Sequence, residues 1–177
     1  MRPEIDGGQL PRRRPRHDGV PPALAVLSGH PNLETIVKNV LIPIDGSANA
    51  LRAVNYVIDQ VRESGPCSIH LLNVQLPIVS GTVHAFISKE MIQDYYEDEA
   101  KAALAQARIA LDKAGLTYQT ALRVGPVAAT LTAYAAEQKF DHIVMGSRGL
   151  GAAGSLLLGS VVLKVLQTVH IPVVVIN

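Results

Sequence analysis

From Lys38 to the C-terminus, short runs of β-branched and aliphatic residues alternate with longer segments whose apolar positions recur every three or four residues. Buried parallel strands joined by amphipathic helices leave this trace, because a strand covered on both faces needs no polar alternation whereas its crossover helix needs one apolar stripe. The first run, Asn39-Val40-Leu41-Ile42-Pro43-Ile44, ends at Asp45-Gly46-Ser47. A helix should follow, with Ser47 as its N-cap and Leu51, Val54, Tyr56, Val57, Ile58 and Val61 repeating on one face. Gly65-Pro66 stops it, and Ser68 to Val74 read as the second strand. A loop from Gln75 to about Thr82 leads to a long helix from Ser88 to Ala114, closed by Gly115. Leu116 to Val124 read as the third strand. Gly125-Pro126 then opens a helix with proline at its first position and Leu131, Tyr134 and Ala135 buried. Asp141 to Met145 form the fourth strand, and after a glycine-rich loop and one more helix, Ile171 to Ile176 form the fifth.

Strands alternating with helices imply an α/β fold: an open, doubly wound, five-stranded parallel sheet, Rossmann-like, with right-handed crossovers and strand order 3-2-1-4-5. That order sets the first and fourth strands side by side with the winding reversing between them. Ligands of such sheets sit beyond the carboxyl ends of the strands at that reversal, so Asp45 and Gly146 are expected to face each other across a crevice.

Composition sharpens the picture in three places. Residues are 48% hydrophobic but only 4% aromatic, so the core must be filled by Val, Leu, Ile and Ala. Residues 1–35 stand apart, with Pro3, Pro11, Pro15, Pro21, Pro22 and Pro31 beside Arg12, Arg13, Arg14 and Arg16; they read as a disordered tail ahead of one domain over residues 36–177. The formal net charge of +1 gives no strong signal for nucleic acid, no run approaches the ~18 to 20 apolar residues of a membrane helix, and one cysteine, Cys67, excludes an intramolecular disulfide. A cytoplasmic protein fits these features.

The candidate chemistry lies after the fourth strand. Met145-Gly146-Ser147-Arg148-Gly149 is followed, nine residues on, by Gly159-Ser160 and the helical run Val161 to Leu166. Glycines let main chain approach closely and take positive φ, so that successive N–H groups can turn inward around phosphate oxygens. Ser160 falls where the last helix begins, and the free N–H groups and the dipole of that helix end favour an anion. Read without the spacing, the same residues would be turn and packing glycines, with Ser160 an ordinary N-cap.

The spacing Gly146-x2-Gly149-x9-Gly159-Ser160 resembles the G-2x-G-9x-G-(S/T) signature of ATP-binding universal stress proteins. Val40-Leu41-Ile42-Pro43-Ile44-Asp45-Gly46-Ser47 looks like that family's first strand with its terminal aspartate, and Ile171-Pro172-Val173-Val174-Val175 like its closing strand. The resemblance implies a nucleotide-linked stress sensor or regulator holding ATP, with Mg2+ bridging the phosphates, and a homodimer, for which the edge strand 171–176 is the natural contact. Carried over by position, Pro43, Ile44 and Asp45 would line the adenosine end and Val74 would offer main-chain hydrogen bonds to the adenine edge. Met145, Gly146, Arg148 and Gly149 would meet ribose and phosphates, and Gly159, Ser160 and Val161 would close on the terminal phosphates. Asn73 departs from the histidine that many relatives carry before the strand-end valine.

Other nucleotide enzymes fit less well. Gly149-Leu150-Gly151-Ala152-Ala153-Gly154 spells a dinucleotide fingerprint, but the chain ends too soon for the further strand and acidic residue that such a site requires. No lysine stands where a P-loop needs one. No base or nucleophile pair adjoins the motif, so weak ATP hydrolysis or autophosphorylation is the most that catalysis should amount to. The alternative reading is a nucleotide-independent dimeric interaction module of the same fold.

Overall fold

The computed structural model describes residues 39–78, 88–150 and 158–177. The tail expected over residues 1–35, the later part of the loop after the second strand, and residues 151–157 with two glycines of the dinucleotide-like run lie outside the described residues.

Five parallel strands, Asn39–Pro43 (β1), Ser68–Gln75 (β2), Tyr118–Val124 (β3), His142–Gly146 (β4) and Val173–Ile176 (β5), lie in the order β3-β2-β1-β4-β5. This is the sheet that the apolar pattern predicts. Helices Ala48–Ser64 (α1) and Lys89–Lys113 (α2) cover one face, and Val127–Glu137 (α3) and Ser160–Thr168 (α4) the other. Successive strand residues turn to opposite faces. Val40, Ile42, Ile69, Leu71 and Val144 therefore pack with Val54, Val57 and Leu111 under α1 and α2. Leu41, Leu72, Ile143 and Met145 pack with Leu131, Tyr134, Val162 and Val165 under α3 and α4. Each such aliphatic side chain removed from water contributes roughly 1.5–3 kcal/mol, so the two aliphatic layers supply most of the drive that aromatics provide elsewhere.

Local chemistry sets the element ends. The Ser47 hydroxyl accepts from Ala50 N at 3.2 Å and caps α1. α2 ends in a Schellman turn, Leu116 N donating to Leu111 O and Gly115 N to Asp112 O, each at 3.0 Å. That turn consumes Leu116, so β3 starts at Tyr118 rather than at Leu116 as expected from the apolar run. β5 likewise starts at Val173, because Pro172 has no N–H and enters the ladder only as an acceptor, from Ile143 N at 3.0 Å. Pro126 occupies the N-cap of α3, one position before the first-turn site anticipated for it.

Burial lowers the pKa of His142 on β4, against a smaller opposing effect from Asp141, and burial together with the Arg123 charge lowers that of His70 on β2. Both imidazoles therefore bind protons more readily in the unfolded chain. Their contribution is complete above the unfolded pKa, near 6.5, and is lost as pH falls towards the folded value. Urea unfolding across pH 5 to 8 should show stability declining below about 6.5, and His142→Gln should flatten part of that decline.

Candidate functional site at the β1 and β4 strand ends

β1 leaves the sheet through Pro43-Ile44-Asp45-Gly46-Ser47, and each step is held by a named bond. Pro43 pairs with Leu72, and Ile44 N continues the ladder by donating to Leu72 O at 2.8 Å. The Ile44 carbonyl accepts from Asn73 Nδ2 at 2.8 Å, and Asn73, only 2% exposed, is itself held by Gln75 Nε2 donating to its Oδ1 at 2.8 Å. Asp45 then turns the chain with Oδ1 accepting from Ser47 N at 3.0 Å. Gly46 has φ +83, a conformation that side-chain-bearing residues rarely adopt, and its missing Cβ would lie 3.4 Å from Ala103 Cα of α2.

β2 runs past this exit. In a parallel ladder a residue's N–H and C=O point to the same side, and alternate residues point to opposite sides. Leu72 O faces β1, whereas Gln75 O faces β3 and accepts from Gly125 N at 2.9 Å. The main chain of Val74 therefore faces the side that β1 has vacated, and its half-buried side chain packs on the α3 and α4 layer.

β4 ends one strand away. Met145 is buried in the α3 and α4 layer, and Gly146 lies against the start of α1: a Cβ on it would come within 2.6 Å of Asn49 C and 2.8 Å of Asn49 O. Ser147, 5% exposed, donates its N–H to Ile176 O at 2.7 Å and its hydroxyl to Asn177 Oδ1 at 3.0 Å. Its carbonyl accepts from Gly159 N at 2.8 Å, which closes the base of the glycine loop and brings the start of α4 to the end of β4. Half-buried Arg148 stands beside Gly159. Leu150 N donates to Asp45 Oδ2 at 3.2 Å, joining the loop to β1, and a Cβ on Gly149 would collide with that same oxygen.

α4 is capped by Gly159 without any side-chain bond, and Leu163 N makes the first helical bond, to Gly159 O at 3.0 Å. The amides of Ser160, Val161 and Val162 precede it and have no partner within the helix. Ser160 is thus the first helical residue rather than the N-cap.

The structure brings Asp45, Gly146, Arg148, Gly149, Gly159, Ser160 and Val161 to one end of the sheet, with Pro43, Ile44 and Val74 along its β1–β2 edge. Met145 contributes to the floor through its place in the core. One expectation is corrected. Positive φ among the described glycines occurs at Gly46, Gly65 and Gly115, not at Gly146, Gly149 or Gly159. Two signature glycines serve by leaving space, Gly146 for α1 and Gly149 for a carboxylate; at Gly159 a Cβ would meet the main chain of Ser147 and Arg148 at ordinary contact distance, 3.4 Å. Sequence reasoning missed Asn73 and Ser147 as positioning groups. Asn73 stood out only as a departure from a motif, and nothing in the order of residues pointed to the partners of Ser147 at the C-terminus.

A doubly wound parallel domain whose β1 and β4 strand ends meet the glycine loop and the start of α4 at its switch point is the class that fold and site define. Residues 37–177 match the profile of the Universal stress protein family, and the chain belongs to that family. It is 31% identical over 148 residues to Universal stress protein MJ0531 of Methanocaldococcus jannaschii, covering 82% of this chain and 85% of that protein. The solved structure of hypothetical protein MJ0577 superposes with a TM-score of 0.68 at 26% identity, covering 79% of this chain and 95% of that one. A universal stress protein family member from Arabidopsis thaliana, solved with AMP bound, superposes at 0.56 with 20% identity over 78% of this chain and 90% of its own, a likeness of fold.

Because the collision at Gly146 is with main chain, Gly146→Ala must push α1 off the end of β4. Thermal denaturation should report a loss of about 1–3 kcal/mol, the usual cost of overpacking, whether or not a nucleotide is present.

Proposed function

We propose that this protein is an adenine-nucleotide-binding regulator of the universal stress type, with ATP held at the β1–β4 switch point. One observation carries the reading: three sets of directed main-chain groups converge at one end of β1 and β4. These are the vacated side of Val74, the glycine loop beginning at Gly146, and the amides at the start of α4 that have no partner within the helix. Pro43, Ile44 and the main chain of Asp45 line the adenosine end beside Val74. Arg148, Gly149, Gly159, Ser160 and Val161 face the phosphates, with the α4 dipole and the Arg148 guanidinium offsetting their charge.

The described residues contain no group of three or more His, Cys, Asp or Glu able to hold a metal ion. In this reading Mg2+ arrives with the nucleotide and is held chiefly by phosphate oxygens and water, as its preference for hydrated octahedral sites favours, with the Ser160 hydroxyl at hand. No helix among the described residues is long and apolar enough to cross a membrane. The AMP complex of the Arabidopsis relative supports an adenine nucleotide as the ligand class. Among the described residues Asp45 is the carboxylate at the mouth, and both of its oxygens are engaged, which supports binding as the work of the site.

Titration calorimetry with ATP tests the reading. The parent should bind, and Gly159→Val, which fills the gap between the Arg148 main chain and the start of α4, should weaken ATP at least tenfold while circular dichroism stays unchanged. Equal affinity in parent and variant would refute the phosphate assignment. A parent that retains no nucleotide through gentle purification and ignores added ATP would leave the docking module as the better account.

We further assign dimerisation to β5, an edge strand with one side of its ladder unpaired. Val174 is unsuitable as a probe, since its side chain is only 9% exposed in the α1 layer. Val175 is half-buried at the edge, and Val175→Lys should shift sedimentation from dimer towards monomer. An unchanged dimer would move the interface elsewhere.

A further inference from the structure

We infer that Asp45 is a positioning residue for the glycine loop: it acts on a bound nucleotide through the placement of Gly149 and Leu150, not by gripping base or sugar. The inference rests on the nucleotide reading above and deepens it.

Both Asp45 oxygens hold main-chain amides. Oδ1 takes Ser47 N at 3.0 Å, and Oδ2 takes Leu150 N at 3.2 Å, across 105 residues of chain. The carboxylate is thus a tie between the β1 exit and the arm of the loop that leaves β4. Ser147 fixes the returning arm through Gly159 N, and is itself held by Ile176 O. The tie begins from a held point, because Asn73 holds the Ile44 carbonyl just before Asp45 and the Ser47 hydroxyl caps α1 just after it. Gly149 belongs to the same device. A Cβ there would strike Asp45 Oδ2, so a side chain at position 149 would displace the carboxylate.

Electrostatics point the same way. A carboxylate at the mouth of an anion site repels phosphates, and that cost is reduced when its lone pairs are already directed at amide protons. What it returns is preorganisation: loop amides fixed before binding need not be ordered by the ligand. Adenosine, lacking phosphates, gains nothing from a fixed phosphate loop, whereas ATP does.

The test compares adenosine and ATP by amide NMR titration, together with hydrogen exchange at Leu150 in the nucleotide-free protein. In Asp45→Ala, exchange of the Leu150 amide should accelerate at least tenfold, ATP affinity should fall about tenfold, and adenosine affinity should stay within twofold of the parent. Asp45→Asn, which keeps one oxygen acceptor, should recover part of the ATP affinity. Gly149→Ala should reproduce the adenosine-sparing loss, and combining it with Asp45→Ala should add little, since the two changes break one tie. An equal loss for adenosine and ATP in Asp45→Ala would make Asp45 a direct nucleoside ligand and overturn the inference, as would unchanged exchange at Leu150. If the parent bound neither compound, the nucleotide reading would fail on its own. The exchange rate at Leu150 would then decide the tie: acceleration in Asp45→Ala upholds it, and no change overturns it.

Discussion

The pairing of β1 with β4 is the constraint from which the rest of the site follows. Val40 lies beside His142 and Leu41 beside Ile143, although about a hundred residues separate them in the chain. Between these strands the winding reverses: α1 carries the chain towards β2 on one side, while α4 carries it to β5 on the other. Ligands of such sheets sit beyond the carboxyl ends of the strands at that reversal, where the main chain leaving β1 and β4 stands. The close seat of α1 over β4 depends on the same pairing. Ala50 and Ala53 keep the helix surface low, and Gly146 lets Asn49 sit directly on the strand end.

What fills this space is chiefly main chain, and side chains are used to aim it. Ser47 and Asp45 spend side-chain oxygens on backbone amides, Asn73 its Nδ2 on the Ile44 carbonyl and its Oδ1 on Gln75, and Ser147 its hydroxyl on Asn177. Such an arrangement suits an anion whose charge is spread over many oxygens, because several weakly polar donors can follow it without a buried cation having to be neutralised when the site is empty.

The apolar pattern revealed the order of elements because the inner strands are buried on both faces and each helix on one. That double burial writes itself into residue type, as in Val40-Leu41-Ile42 and Ile143-Val144-Met145, whereas the edge strand β3 has no buried residue. Boundaries were less legible: the turn ending α2 uses Leu116, and Pro172 shortens β5, both through backbone geometry that side-chain hydrophobicity does not record. The glycine positions of the candidate site stood out in the sequence, and their physics was half read: close approach holds at Gly146 and Gly149, where the atoms claiming the space come from Asn49 and Asp45, whereas positive φ does not occur there. Only the assembled sheet puts those atoms there.

This difference changes what glycine spacing can be taken to mean. If the glycines were needed for left-handed turns, any loop of the same length with other turn residues could replace them. Because Gly146 and Gly149 are needed for contact, each is coupled to a specific neighbour, and their spacing encodes how far apart those neighbours lie at the strand ends. Gly146 answers to the first turn of α1 and Gly149 to the carboxylate that follows β1, while Gly159 marks the point where the loop returns on itself. A chain that kept the spacing but lost Asp45 would retain Gly149 without the contact that makes it necessary, so residue 45 belongs to the motif as much as the glycines do.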